Sequence, residues 1–259
     1  MERSAPIAFF DSGLGGISVL REAAGRLPKE NFLYYGDSLH APYGVLPVER
    51  VRELTLCAAE KLVKAGAKAL VVACNTATSA AIGALRQRYP LLEIIGTEPA
   101  LKPAVAHCPG GRILVLATAM TVKEEKFQKL RQRLDEQAEV IAVPCSGLME
   151  FVERGILGGA EVEDFLRNIL RPYLTEPVDA VVLGCTHYPF LRGAIRRVIG
   201  PDAKIFDGSA GITSQLIKRL EERSLLNERG TGSVVFLNSL DTEQILALSR
   251  RLFLAGQDG

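Results

Sequence analysis

Tryptophan is absent from this chain of 259 residues, and histidine occurs only three times. Cysteine is scarce in a more telling way. The five present (Cys57, Cys74, Cys108, Cys145 and Cys185) are odd in number and include no Cys-x-x-Cys pair. That pattern fits neither a disulfide framework nor a zinc ribbon, so free thiols in a reducing compartment are expected. An excess of either charge is also missing. Lys and Arg number 31 against 30 Asp and Glu, and the charges are spread along the chain. A net charge of +1 gives no electrostatic footing for nucleic acid or an anionic membrane as a partner. Long apolar runs are lacking as well. The stretch 67–74, broken by Lys68, falls far short of the roughly 20 residues of a membrane helix. The opening Met-Glu-Arg-Ser-Ala-Pro leads directly into a strand-like segment without the basic-then-apolar order of a secretory leader, so the cytoplasm is the expected address. No linker rich in Pro, Gly or Ser divides the chain.

What the chain does contain is a regular alternation. Short β-rich runs at 7–10, 32–36, 69–73, 93–96, 113–117, 139–143, 180–184, 204–206 and 233–237 are separated by segments of helical period. This predicts an α/β fold with mainly parallel sheet covered on both faces. In 47–65, for example, Val51, Leu54, Ala58, Leu62 and Val63 recur at spacings of three and four. Pro47 suits the first turn of that helix and Gly66 its stop. An internal echo is visible too. Two apolar strands end in a cysteine followed by small polar residues, at Cys74-Asn75-Thr76 and at Cys185-Thr186-His187. The segments 7–16 and 113–121 share a strand-then-polar-loop plan, which suggests two similar halves with the two cysteines opposed across a cleft. The best crossover points are 99–109 and 207–211.

Ligands of parallel α/β sheets collect at the carboxyl ends of strands. The polar residues placed there are Asp11-Ser12-Gly13, Asp37-Ser38, Pro42-Tyr43-Gly44, Cys74-Asn75-Thr76, Thr118 with Thr121, Cys145-Ser146 and Cys185-Thr186-His187. Cys74 and Cys185 are each expected at a strand-to-helix turn, where backbone N–H groups and the helix dipole favour a thiolate. Cys57 in mid-helix, Cys108 in Cys-Pro-Gly-Gly and Cys145 read as structural. Asp11 opens Asp-Ser-Gly-Leu-Gly-Gly, which lacks both the lysine of a P-loop and dinucleotide spacing. Its glycines suit close backbone approach to a small anion, with Ser12 adding a hydroxyl. His187 admits three readings: a structural histidine, a metal ligand with Cys185, or an acid–base partner. Two ligands do not make a metal site, and the third account is preferred. On composition alone, Glu153 in Val-Glu-Arg-Gly is an ordinary surface glutamate.

Five segments together resemble the glutamate racemases: Phe-Asp-Ser-Gly-Leu-Gly-Gly at 10–16, Tyr-Gly-Asp at 35–37, Pro-Tyr-Gly at 42–44, Ala-Cys-Asn-Thr-Ala at 73–77 and Gly-Cys-Thr-His-Tyr-Pro at 184–189. The resemblance spans nearly the whole chain in order. It implies two pseudo-symmetric α/β domains, residues 1–97 with 210–259 and residues 98–209, with the active site in the cleft between them. It further implies cofactor-independent racemisation of glutamate, in which Cys74 and Cys185 flank the α-carbon and exchange the roles of base and acid with the hand of the substrate. Asp11 would assist Cys74, His187 and Glu153 would assist Cys185, and Asp37 would stand behind them. Ser12, Pro42, Tyr43, Gly44, Asn75, Thr76, Thr118, Thr121 and Thr186 would hold the ammonium and the two carboxylates. Supply of D-glutamate for peptidoglycan follows from the family alone. A homodimer is open, since relatives are commonly dimers.

The chain departs from the family at His40, where many members carry arginine, and at Ala119-Met120 after Thr118. No lysine stands at a strand end to form the Schiff base of a pyridoxal enzyme. Three rival readings remain. An aspartate or other amino-acid racemase differs by one methylene, worth only about 1–3 kcal/mol of discrimination. A thiol hydrolase using Cys185 with His187 leaves Cys74 without a role. A two-lobed amino-acid binding protein needs no pair of opposed thiols.

Overall fold

In the computed structural model, which describes residues 2–255, the chain forms nine strands: β1 (Ile7–Asp11), β2 (Asn31–Gly36), β3 (Ala69–Val72), β4 (Glu93–Gly96), β5 (Arg112–Ala117), β6 (Glu139–Pro144), β7 (Ala180–Leu183), β8 (Lys204–Asp207) and β9 (Ser233–Asn238). Each run expected from the sequence lies within one residue of its strand at either end. The reason is visible in burial. Every residue of β1, β3 and β7 is buried, the pattern of a strand covered on both faces rather than one alternating between core and water.

The described residues divide into two units. One contains the residues up to Thr97 together with those from Ser209 onward; the other is Glu98–Gly208. In the first, five parallel strands are ordered β4-β3-β1-β2-β9. The helices Ile17–Arg26, Val48–Lys64, Asn75–Arg88, Ser209–Glu222 and Glu243–Leu254 belong to it. In the second, four parallel strands are ordered β6-β5-β7-β8. When β5, β6, β7 and β8 are matched to β1, β2, β3 and β4, the two sheets have one plan, and β9 is an extra strand beside β2. The fold is thus α/β with two parallel sheets built alike.

That strand order has a functional consequence. From β1 the chain steps outward to β2, then crosses to the other side of β1 to form β3. The crevice where the direction reverses lies at the carboxyl ends of β1 and β3, and the equivalent one in the second unit lies at the ends of β5 and β7. Such switch points are where open α/β sheets bind ligands. Asp11 ends β1 and Cys74 follows β3; Thr118 follows β5 and Cys185 follows β7.

Two local details refine the sequence picture. Pro47 caps the helix Val48–Lys64 from outside instead of occupying its first turn. On that helix Val51, Leu54, Ala58 and Leu62 are buried as their spacing predicts, and Cys57 is exposed. Lys68, which interrupts the apolar run before β3, is fully buried. Its Nζ lies 2.5 Å from Glu30 Oε2 and donates to the carbonyls of Arg3 and Leu225. Three acceptors thus meet three ammonium hydrogens, the condition under which a buried charge is tolerated.

Thr213, on the helix Ser209–Glu222, is the opposite case. It is fully buried and its Oγ1 has no hydrogen-bond partner. Replacing an unsatisfied hydroxyl by a methyl of the same shape removes a desolvation cost with no contact to lose. Thr213→Val is therefore expected to raise the unfolding free energy by about 1 kcal/mol. Urea denaturation with an unchanged m-value checks this, and a loss of stability would refute it.

Candidate functional site

In the first unit, β1 delivers Asp11 into a tight turn. Its carboxylate is fully buried and accepts a hydrogen bond from Gly13 N at 2.8 Å, the local bonding expected of an aspartate in a turn. Gly16 in the same loop lies where a Cβ would sit 2.8 Å from Asp11 Cβ and 2.9 Å from the Cβ of Ala73. That glycine therefore lets the loops after β1 and β3 touch, a packing role beside the anion approach expected from the sequence. Cys74 occupies the N-cap of the 14-residue helix Asn75–Arg88, where its Sγ accepts from Ala77 N at 3.4 Å. Ser12 Oγ lies 3.4 Å from the same sulfur. A helix N-terminus and a hydroxyl thus both face this sulfur, an environment that favours negative charge on it. Thr76 is buried in the first turn of the helix, and Asn75 Oδ1 is a buried acceptor without a partner.

Behind these lies Asp37, directly after β2 and tied to β1 by its N–H, which donates to Asp11 O at 3.0 Å. Tyr43 Oη donates to Asp37 Oδ2 at 2.6 Å, and His40 Nδ1 lies 2.9 and 3.0 Å from the two carboxylate oxygens. Burial, then the bond to Asp37, then the nearby charges of Asp37, Cys74 and Asp11 push the Tyr43 phenol far above its ordinary range, so it remains a donor. Pro42 precedes it and Gly44 follows it in the short turn Tyr43–Val45. His40, the departure from the family pattern, thus fastens the Asp37 carboxylate.

In the second unit, Thr118 caps the short helix Ala119–Lys123. Its Oγ1 accepts from Thr121 N at 3.2 Å and lies 3.0 Å from Thr121 Oγ1. The segment after Cys185 differs from the expectation of a strand-to-helix turn. A 3-10 turn, Tyr188–Leu191, intervenes before the helix Arg192–Ile199. Pro189 in that turn lacks an N–H and disfavours α geometry in the residue before it, which explains the difference. Cys185 therefore has no helix cap of the kind Cys74 has. Its Sγ lies 3.7 Å from His187 Nδ1, and His187 Nε2 lies 2.7 Å from Glu153 Oε1 at the end of the helix Leu148–Glu153. Burial alone would pull the imidazole down, but its contacts with Cys185 and Glu153 outweigh that and hold it well above its ordinary value. The two thiols are thus supported by different means, a helix terminus for one and a carboxylate-backed imidazolium for the other. Thr186 is buried between Cys185 and His187.

Two residues close to Cys185 in the fold were given no functional role from the sequence, Cys145, placed at a strand end but read as structural, and Tyr188. Cys145 follows β6 as Asp37 follows β2, and its buried thiol donates to Val143 O at 3.4 Å. Tyr188, inside the Gly-Cys-Thr-His-Tyr-Pro segment, is buried and donates to Cys145 O at 3.0 Å. Among the described residues, no group of three or more His, Cys, Asp or Glu side chains is arranged to hold a metal ion. Nor is any helix among them long and apolar enough to cross a membrane.

Comparison with known proteins shows the family. The profile of the Asp/Glu/hydantoin racemase family matches residues 21–214. A glutamate racemase of Clostridium perfringens is 49% identical over 251 residues, covering 96% of each chain. Among solved structures, the glutamate racemase of Thermus thermophilus in complex with β-chloro-D-alanine is 34% identical with a TM-score of 0.80, covering 97% of this chain and 94% of that one. The Escherichia coli glutamate racemase in complex with L-glutamate and the activator UDP-MurNAc-Ala is 30% identical with a TM-score of 0.85, covering 96% and 95%. The chain belongs to the Asp/Glu/hydantoin racemase family, where it groups with the glutamate racemases.

Proposed function

We propose that this protein interconverts L- and D-glutamate without a cofactor, passing a proton between the substrate α-carbon and two thiols, Cys74 on one face and Cys185 on the other. The observation that carries this reading is that each unit sets one cysteine at its own switch point, with a helix N-terminus at the sulfur of Cys74 and the His187 imidazole 3.7 Å from that of Cys185. A racemase needs a base on one face and an acid on the other, and a thiolate paired with a thiol supplies both in either direction. The likeness to glutamate racemases, one of them solved with L-glutamate, supports the choice of substrate.

In this reading Asp11 assists Cys74, the Glu153–His187 pair assists Cys185, and Asp37 holds Tyr43 as a donor. Ser12, Pro42, Tyr43, Gly44, Asn75, Thr76, Thr118, Thr121 and Thr186 orient the substrate. The partnerless Asn75 Oδ1 suits an ammonium, which has hydrogens to give. An α-proton is far less acidic than a thiol, so these donors must also stabilise developing charge on the substrate with water kept away. The product would feed peptidoglycan synthesis in the cytoplasm.

The test is proton NMR of L-glutamate with the purified protein in D2O, with no cofactor added, alongside circular dichroism of the amino acid. The α-proton signal should disappear while the ellipticity decays to zero. Exchange with aspartate but not glutamate would keep the two-thiol chemistry and move the substrate. No exchange with either would reject the proposal.

A further inference from the structure

We infer that His40 is a positioning residue for the substrate-holding turn at 42–44, acting through the Asp37 carboxylate on Tyr43. The inference rests on the reading that this turn orients glutamate. Among the described residues, the side chains that donate to Asp37 are Tyr43 and His40, and the two meet it differently. Tyr43 Oη reaches one oxygen, Oδ2, at 2.6 Å, whereas His40 Nδ1 spans both oxygens at 2.9 and 3.0 Å. A carboxylate held at one oxygen can turn about its last side-chain torsion, which has a broad minimum. A second donor laid across both oxygens stops that rotation and fixes where Oδ2 stands. Tyr43 is buried and opens the short turn that carries Gly44, so a fixed Oδ2 also fixes the turn.

The same geometry decides which ring nitrogen carries hydrogen. An ionised carboxylate has no hydrogen to give, so the bond exists only with Nδ1 protonated. A neutral histidine ring in water prefers its hydrogen on Nε2, so Asp37 selects the less favoured form. A hydrogen bond to a charged acceptor is roughly twice as strong as one to a neutral acceptor, which is enough to reverse that preference.

The turn that carries His40 is held independently of the ring. His40 N donates to Asp37 O at 3.2 Å, and the end of β9 grips the turn from its other side. There Asn238 Nδ2 donates to Ser38 Oγ and Leu39 N to Ser239 Oγ, each at 2.9 Å. The strand that has no counterpart in the second unit thus supplies a fixed base against which the imidazole works. The His40 side chain is 36% exposed and that of Asp37 only 5%, so replacing the ring alters one bond at a buried charge and leaves the core intact. Lys61 does not stand in for it, since its Nζ lies against Tyr35 Oη at 3.2 Å.

The experiment compares KM and kcat for glutamate in the wild type, His40→Leu and His40→Asn. Leucine fills the space of the ring without a donor, and asparagine carries an N–H at the position of Nδ1. His40→Leu should raise KM about tenfold, the worth of one hydrogen bond to a charged group, with kcat within about twofold, the mark of lost substrate holding rather than lost proton transfer. His40→Asn should bring KM back to within about threefold of the wild type. An unchanged KM in His40→Leu overturns the proposal. So does a loss in His40→Asn as large as in His40→Leu, because the packing of the ring and not its δ hydrogen would then matter. If His40→Leu fails to fold, the wild type decides. The chain has only three histidines, so the ring nitrogens of His40 can be assigned by NMR of labelled protein from their loss in His40→Asn. They should show hydrogen on Nδ1, and a ring carrying it on Nε2 alone overturns the proposal. Wild-type protein that leaves glutamate unracemised would instead remove the functional reading, and the ring spectrum would still judge the His40 contact.

Discussion

Changing either Cys74 or Cys185 to serine is expected to lower racemisation of glutamate by roughly 10²–10⁴-fold, the range for losing a general acid or base. Serine keeps the size and a hydroxyl, but at neutral pH it is neither a competent base nor an acid matched to a carbon acid. Because enantiomers have equal free energies, kcat/KM must fall equally in the two directions whichever thiol is lost, so rates alone cannot say which face each serves. Isotope exchange can. With one thiol left, one enantiomer still has a base on the face its α-hydrogen occupies, and the proton returns to that face after exchange with solvent. In D2O each single variant should therefore exchange the α-proton of one enantiomer without inverting it, and the two variants should select opposite enantiomers. Near-normal racemisation by both variants would end the two-thiol reading, and exchange of both enantiomers by one variant would show that a second base serves the other face.

The fold was legible because its strands are short apolar runs rich in β-branched and aromatic residues, those of β1, β3 and β7 fully buried, which single-chain pattern reading detects well. Ile7-Ala-Phe-Phe at the start of β1 and Ala-Val-Val-Leu in β7 are cases in point. Strand order was not legible, because pairing β1 with both β2 and β3 is a long-range choice that no local pattern records. The polar residues and then helix expected after Cys185 are present, but a 3-10 turn containing Pro189 precedes the regular helix, which starts at Arg192. The site was legible where chemistry coincided with a strand end, as at Asp11 and Cys74. Glu153 was not, since its partner His187 lies 34 residues further along the chain and only tertiary structure brings the carboxylate to the imidazole. Composition made it a surface glutamate, and the family resemblance alone singled it out. Tyr188 escaped for a related reason. Its acceptor, the Cys145 carbonyl, is a backbone atom on a different strand's loop, and backbone acceptors leave no mark in a sequence.

The same dependence on tertiary contact decides what one added methyl does at two glycines. Gly36 ends β2, where a Cβ would sit 2.4 Å from the Gly13 carbonyl oxygen and 2.9 Å from Asn238 Nδ2. The oxygen is backbone and is already held by Tyr34 Oη at 2.8 Å, so it has little room to withdraw. Overpacking of this kind costs about 1–3 kcal/mol, and Gly36→Ala is expected at the upper end of that range in urea denaturation. The strain falls on the Asp11–Gly13 turn, whose Ser12 lies against the Cys74 sulfur. A shift of that loop by a fraction of an ångström should lower turnover of the molecules that remain folded by about tenfold or more, given that a 1 Å misplacement can cost about 10²-fold. Gly83, exposed within the helix Asn75–Arg88, has nothing within 4 Å of its would-be Cβ. There an alanine only removes freedom from the unfolded chain, so Gly83→Ala should stabilise by about 0.5–1 kcal/mol and leave racemisation unchanged. The two variants carry the same chemical change in opposite directions. If both moved stability the same way, the close packing of β2 against the Asp11 loop would not be what Gly36 provides.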